Sequence, residues 1–187
     1  MSDPDGYLLV LGIGNVLLRD EGVGVRVAEA LLEGALPVGS AGGVAPGLPA
    51  HTRVVDGGTL GLDLLPLVEG ARAVCFVDAI DAGLQPGSVV VLREGDVDTL
   101  LSQPISAHDV GLAELIATAR FTGALPRCLA IVGVQPAQVS PGLQLSPVVQ
   151  AALPRAVDFV RREAWRHEHS GGRDGSVVHG RADEPAG

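Results

Sequence analysis

Three side chains far apart in the chain have the donor types that hold a divalent ion: the carboxylates of Glu21 and Asp78 and the imidazole of His108. Carboxylate oxygen is a hard ligand and imidazole nitrogen a borderline one, so the set suits zinc, nickel or iron in the +2 state, with water in the open positions. A further acid, Asp56, ends a strand-like run of its own. Each residue also has a plainer reading. Glu21 fits a first-turn helix acid, Asp78 a cap on a neighbouring loop, and His108 a partly exposed helix residue.

The elements that would bring them together are legible in the pattern of apolar residues. Residues 7–32 read YLLVLGIGNVLLRDEGVGVRVAEALL. Strand formers Leu8 to Leu11 meet Gly12-Ile13-Gly14-Asn15, pass through Asp20-Glu21, and enter a segment with Val23, Val27, Ala30 and Leu31 at helical spacing. A dinucleotide loop G-x-G-x-x-G would need its third glycine where Leu17 stands, so the phosphate-binding reading fails. The turn ends in two carboxylates instead, and the positive end of the helix dipole near Glu21 keeps that acid ionised.

A second strand, TRVVD from Thr52 to Asp56, stops at Gly57-Gly58, with Thr59 expected to cap a helix through Leu62, Leu65 and Leu67. The third, AVCFVDAI from Ala73 to Ile80, is apolar enough to be covered on both faces, as a sheet interior is. Asp78 interrupts it, and a lone buried acid is costly unless it ends the strand, is hydrogen-bonded or binds a cation. After the turn Asp81–Gly87 come a fourth strand, Ser88–Leu92, and a fifth, Arg127–Val134. Between them Ser106-Ala107-His108-Asp109 has the form of a capping box, placing His108 in a helix's first turn, where the dipole disfavours imidazolium and leaves a lone pair for a metal. Ser146-Pro147 reads as N-cap and first residue of a last helix through Val149, Leu153, Val157 and Val160, kinked at Pro154.

Strands alternating with helices imply an α/β fold: a three-layer sandwich with a mostly parallel twisted sheet of about five strands flanked by helices. Ligands of such sheets bind outside the carboxyl ends of the strands. Glu21 follows the first strand, Asp56 ends the second, Asp78 ends the third, and His108 opens a helix starting from the same edge. The expected organisation is one domain over residues 1–166, with a surface loop at Gly34–His51 and a disordered tail over 167–187 that leaves His167, His169 and His179 solvated.

Composition narrows the chemistry. At 187 residues, 47% hydrophobic and 19% charged, the chain is long enough for one full core, and with 3% aromatics that core must be Val, Leu, Ile and Ala. The net charge of -9 argues against nucleic acid or an anionic membrane as partner and favours a neutral or basic one. All thirteen basic side chains are arginine, which removes Schiff bases, a Walker lysine and a Ser-Lys dyad. No G-x-S-x-G elbow occurs, and Cys75 and Cys128 form no C-x-x-C pair, so both are expected as buried reduced thiols. The acidic start lacks the pattern of a secretory signal, and no apolar run approaches the roughly 18 residues of a membrane helix, so a cytoplasmic location is expected. A metal-centred or carboxylate-centred site, without a covalent enzyme intermediate, is what remains.

With these residues in view, the chain resembles the nickel-iron hydrogenase maturation endopeptidases over about residues 7–160. The resemblance rests on GIGN...DEGVGV, then DGGT, DAID and SAHDVG in register, followed by VGVQP and SPVV...ALP. It implies a cytoplasmic, monomeric peptidase that trims the C-terminal extension from the precursor of the [NiFe]-hydrogenase large subunit after nickel insertion. The family's metal-ligand acids fall on Glu21 and Asp78 and its histidine on His108, as both metal ligands and catalytic residues; Asp56, Gly57 and Gly58 match a segment tied to substrate binding. The nickel would be carried by the precursor, and zinc or cadmium would fit the same ligands in vitro. Two departures are visible, a Gly/Pro-rich insertion at about 35–50 and the long tail after Trp165. Three modes of cleavage stay open: the metal as Lewis acid, metal-bound hydroxide, or a carboxylate as general base. The competing readings are a zinc-dependent amidase or peptidase and a nickel-binding chaperone without proteolysis.

Overall fold

The computed structural model describes residues 6–33, 47–97 and 110–170. Five strands form one sheet: β1 (Tyr7–Ile13), β2 (Thr52–Gly58), β3 (Ala71–Ala79), β4 (Val89–Arg93) and β5 (Cys128–Val134). Their order is β2-β1-β3-β5-β4. Pairings among β2, β1, β3 and β5 are parallel, and β4 runs antiparallel to β5 at the edge. The expected three-layer α/β sandwich is the observed one.

Period-two alternation sends each strand's side chains into two separate cores. On one face Val10, Cys75, Val77, Ala130 and Val132 pack with Val23, Val27 and Leu31 of helix α1 (Val23–Glu33) and with Val149, Ala156 and Val160 of the last helix. On the other, Leu9, Leu11, Val74, Phe76 and Ile131 pack with Leu64, with Val68 of the short helix α2 (Leu65–Glu69), and with Leu112, Leu115 and Ile116 of α3 (Val110–Thr122). Burial on both faces is why β1 and β3 read as unbroken apolar runs.

β2 lies on one side of β1 and β3 on the other, so the chain changes direction between β1 and β3, which makes that crevice the topological switch point. The first turn of α1 sits directly on it. A Cβ built on Gly24 would fall on the carbonyl oxygens of both Ile13 and Val77, so only glycine lets the helix approach this closely.

Three local expectations are corrected. Thr59 caps no helix: a 3-10 turn, Gly61–Leu64, leads into α2, with Pro66 in its first turn and no side-chain cap. The last helix, α4 (Pro147–Ser170), holds Pro154 in its interior as expected but runs past the boundary expected at 167. His167, expected in solvent, is buried at 5% exposure. It faces inward because the helical period persists beyond the point where the apolar pattern fades. Residues 34–46, which take in most of the insertion at about 35–50, the capping box with His108, and residues 171–187 with His179 lie outside the described residues. Cys75 is buried and Cys128 half-buried, both as free thiols. Among the described residues no helix is long and apolar enough to cross a membrane.

Candidate active site

β1 ends at Ile13, and the chain must turn sharply at Gly14, whose φ of 132° lies in the region that favours glycine. A side chain there would also collide with the carbonyl oxygen of Glu21. Gly14 therefore brings the following 3-10 turn, Arg19–Gly22, back over the strand end. The Gly14 N–H donates to the Gly58 carbonyl at 3.0 Å, joining this turn to the end of β2.

The adjacent acids of that turn face opposite ways. Glu21 lines a cavity, and its Oε2 is buried. Asp20 is fully buried: Oδ2 accepts from the Ala137 N–H at 2.9 Å, the Gln138 N–H at 2.8 Å and the Ser146 hydroxyl at 2.8 Å, and Oδ1 accepts from the Ser146 N–H at 2.6 Å. An ionised carboxylate supplies the lone pairs for four donors, which is how a buried acid is tolerated.

Asp78 is the penultimate residue of β3, 5% exposed, with Oδ1 accepting the Ala79 N–H at 2.8 Å. It lines the same cavity as Glu21, together with Ile13, Gly14, Gly58 and Thr59. Gly111, Leu112 and Leu115 close the side formed by α3. Two of the three expected ligands, Glu21 and Asp78, thus line one cavity; His108 lies outside the described residues. Among the described residues no group of three or more His, Cys, Asp or Glu stands ready to hold a metal. The cavity encloses about 110 Å³, room for an ion with water or one side chain and far below the several hundred Å³ of a nucleotide-sized pocket.

Of the other expected residues, Gly58 lines the cavity, whereas Asp56 is exposed and its Oδ1 accepts the Gly58 N–H at 2.9 Å. Gly57 is buried against Leu11 and Leu64. The Asp56 carboxylate thus shapes the turn that presents Gly58 and Thr59.

Two positioning groups escaped the sequence reading. In the sequence Asp20 is only half of an acidic pair, and nothing local distinguishes it from Glu21; the donors that draw it inward come from residues 137–146. Gln135 binds the loop after β3, with Oε1 accepting from Ala82 at 2.9 Å and Leu84 at 3.1 Å, and Nε2 donating to Asp81 at 3.0 Å. The Gln135 amide and then the Gly83 N–H hold the Asp81 carboxyl below its ordinary value. Ser146 and Pro147 stand as expected at the N-cap and first position of α4: the Ser146 carbonyl accepts from the Gln150 N–H at 2.8 Å, while its hydroxyl donates to Asp20.

A doubly wound α/β protein with a small carboxylate-lined cavity at its switch point is the class that fold and site define. The family model described as HycI, hydrogenase maturation protease, matches residues 40–163. The chain is 37% identical over 154 residues to the hydrogenase 2 maturation protease of Escherichia coli, covering 82% of this chain and 87% of that protein. It is 40% identical over 162 residues to the hydrogenase expression/formation protein HupD of Rhodobacter capsulatus, covering 84% and 72%. The solved structure of the hydrogenase maturating endopeptidase HybD from E. coli superposes with a TM-score of 0.70 at 37% identity, over 82% of this chain and 89% of that one. The chain belongs to the hydrogenase maturation protease family and is a peptidase.

Proposed function

We propose that this peptidase removes the C-terminal extension from the nickel-loaded precursor of a [NiFe]-hydrogenase large subunit, acting as a cytoplasmic monomer. The nickel arrives on the substrate. Glu21, Asp78 and His108 would complete its coordination shell, so that a loaded precursor binds more tightly than an empty one.

The observation that carries this reading is that Glu21 and Asp78, 57 positions apart in the chain, line one cavity at the β1/β3 switch point. Two carboxylates and a volume that admits an ion but no large cofactor suit a metal presented from outside. His108 precedes the cavity-lining Gly111 by three residues in the chain and is assigned to the same ion by the family resemblance. Gly58 and Thr59 on the opposite wall would flank the peptide strand, with Asp56 fixing their turn.

The test is intact-mass measurement of the precursor co-expressed with this protein. Wild type is expected to remove the extension from nickel-loaded precursor and to leave nickel-free precursor whole. Glu21→Gln, Asp78→Asn and His108→Ala are each expected to leave both forms whole while the protein stays folded. Full conversion by one of these variants removes that residue from the mechanism; equal conversion of nickel-free precursor removes nickel recognition.

A further inference from the structure

Beside the Glu21 cavity stands a ridge that catalysis does not use. Leu17 is 60% exposed and Leu143 64%, with the exposed Val139 on the same loop as Leu143. The two leucines belong to segments far apart in the chain that are bonded together. The Gly142 N–H donates to the Leu17 carbonyl at 2.9 Å, the Arg19 N–H donates to the Gly142 carbonyl at 3.0 Å, and Leu18 and Gly142 form a parallel bridge. Arg26 donates to the Leu143 carbonyl at 3.3 Å, and Asp20 gathers Ala137, Gln138 and Ser146 from the same loop.

We propose that this Leu17–Leu143 ridge is a docking surface for a folded face of the protein substrate, apolar at its centre and flanked by basic side chains. The inference rests on the function proposed above and adds a second contact to the metal-centred one. Exposed apolar side chains gathered on two segments that are bonded to each other mark a candidate interaction site. These are held in place before any partner arrives, so the ordering cost of binding is already met. Leu17 is four residues from Glu21, so a protein seated on the ridge is carried to the cavity edge.

Charge selects the partner. Asp56, Asp63 and Asp81 are exposed on the loops and turns at this same edge of the sheet; of the two arginines at the ridge, Arg26 is paired with Glu29 at 2.8 Å and Arg19 lies packed over Gly142. A second copy of this chain, itself at -9, would bring like charge to that edge, whereas a basic-flanked surface is attracted. Phe121 gives the contrast: it is 92% exposed, but stands at the far end of α3 from the cavity.

The test measures affinity for purified precursor carrying its extension, nickel-free and nickel-loaded, with cleavage kinetics on the loaded form. The double variant Leu17→Ser/Leu143→Ser is expected to bind both forms about tenfold more weakly and to raise KM by a like factor, with kcat and melting temperature unchanged. Glu21→Gln is expected to bind nickel-free precursor as wild type does, and added salt to weaken binding of both forms. Wild type that binds neither form, a double variant that binds as tightly as wild type, or an equal loss in Phe121→Ser overturns the docking surface. So does a wild-type dimer abolished by the double variant while precursor binding is unchanged, which would give the ridge to a second copy. Ridge-dependent binding without any cleavage of loaded precursor overturns the proteolytic reading and leaves the docking surface standing.

Discussion

Asp20 and Ser146 are bonded twice, the backbone N–H of Ser146 to Oδ1 at 2.6 Å and its hydroxyl to Oδ2 at 2.8 Å, across a sequence separation of 126 residues. The pair joins the turn that carries Glu21 to the start of α4, and through Ala137 and Gln138 to the loop after β5. All four partners donate, so an amide in place of the carboxylate must set its own NH2 against one of them. Asp20→Asn is expected to cost about 2–4 kcal/mol in urea unfolding, and Ser146→Ala, which loses one neutral donor, about 1 kcal/mol. Equal costs for the two would deny the carboxylate its special place.

Gly14 is the hinge between strand and site. Its φ of 132° and the Glu21 carbonyl in the space of a Cβ leave alanine no accommodation short of moving the turn. Gly14→Ala is expected to destabilise the protein by on the order of 3 kcal/mol and to abolish precursor processing even where the fold survives in the cold. A variant that processes precursor at the wild-type rate would mean that Glu21 does not need this turn.

The sheet was legible because strands buried on both faces leave short apolar runs bounded by turn residues: Leu8 to Leu11 stops at Gly12-Ile13-Gly14, and Val74 to Val77 lies in a run that ends at the turn Asp81–Gly87. The convergence of Glu21 and Asp78 is expected from topology, since the turn that follows β1 and the carboxyl end of the neighbouring parallel strand β3 share an edge. What the pattern could not carry was direction within a pair. Asp20 and Glu21 are interchangeable as letters, and only the donors of Ala137, Gln138 and Ser146, brought from far along the chain, decide which one turns inward. His167 was misread for a related reason. Beyond Trp165 the apolar period fades, yet α4 continues to Ser170 and its inner face is lined by Glu163 and His167, polar residues that periodicity does not count.

The two cysteines should separate by reactivity. Burial, and then the nearby Glu163 carboxylate, push the Cys75 thiol far above its ordinary value, so no thiolate forms to attack an electrophile. Cys128, at the open end of β5, is only half-buried. Native protein is expected to take up at most one equivalent of maleimide by intact mass, located on Cys128, and two after unfolding. Labelling of Cys75 in the folded protein would show that the core on the α1/α4 face opens readily.

His167 gives stability a pH dependence of known sign. It lies on the inner face of α4, with Glu163 one turn before it, Arg166 beside it, and Arg93 and Arg72 reaching in from β4 and β3. Arg93 bonds Glu163 at 2.5 and 3.2 Å and Arg166 bonds it at 3.1 Å, and Arg72 is paired with Glu168. Burial is the main force lowering the His167 value below 6.5; the three arginines add to it, and Glu163 opposes. The folded state therefore holds this ring neutral where the unfolded chain has begun to protonate it. Between the two values the unfolded state binds more protons, so stability is full above about pH 6.5 and falls as pH drops below it. Glu163 acts in another window. Burial pushes its carboxyl up, the bonds from Arg93 and then Arg166 more than reverse this, and its contribution is lost only as pH falls below 4.5 towards the lowered value. The urea midpoint of wild type is thus expected to decline between about pH 7 and pH 5.5, and that of His167→Leu to stay level over the same range. An equal decline in both would place the titrating group elsewhere and leave His167 with packing alone.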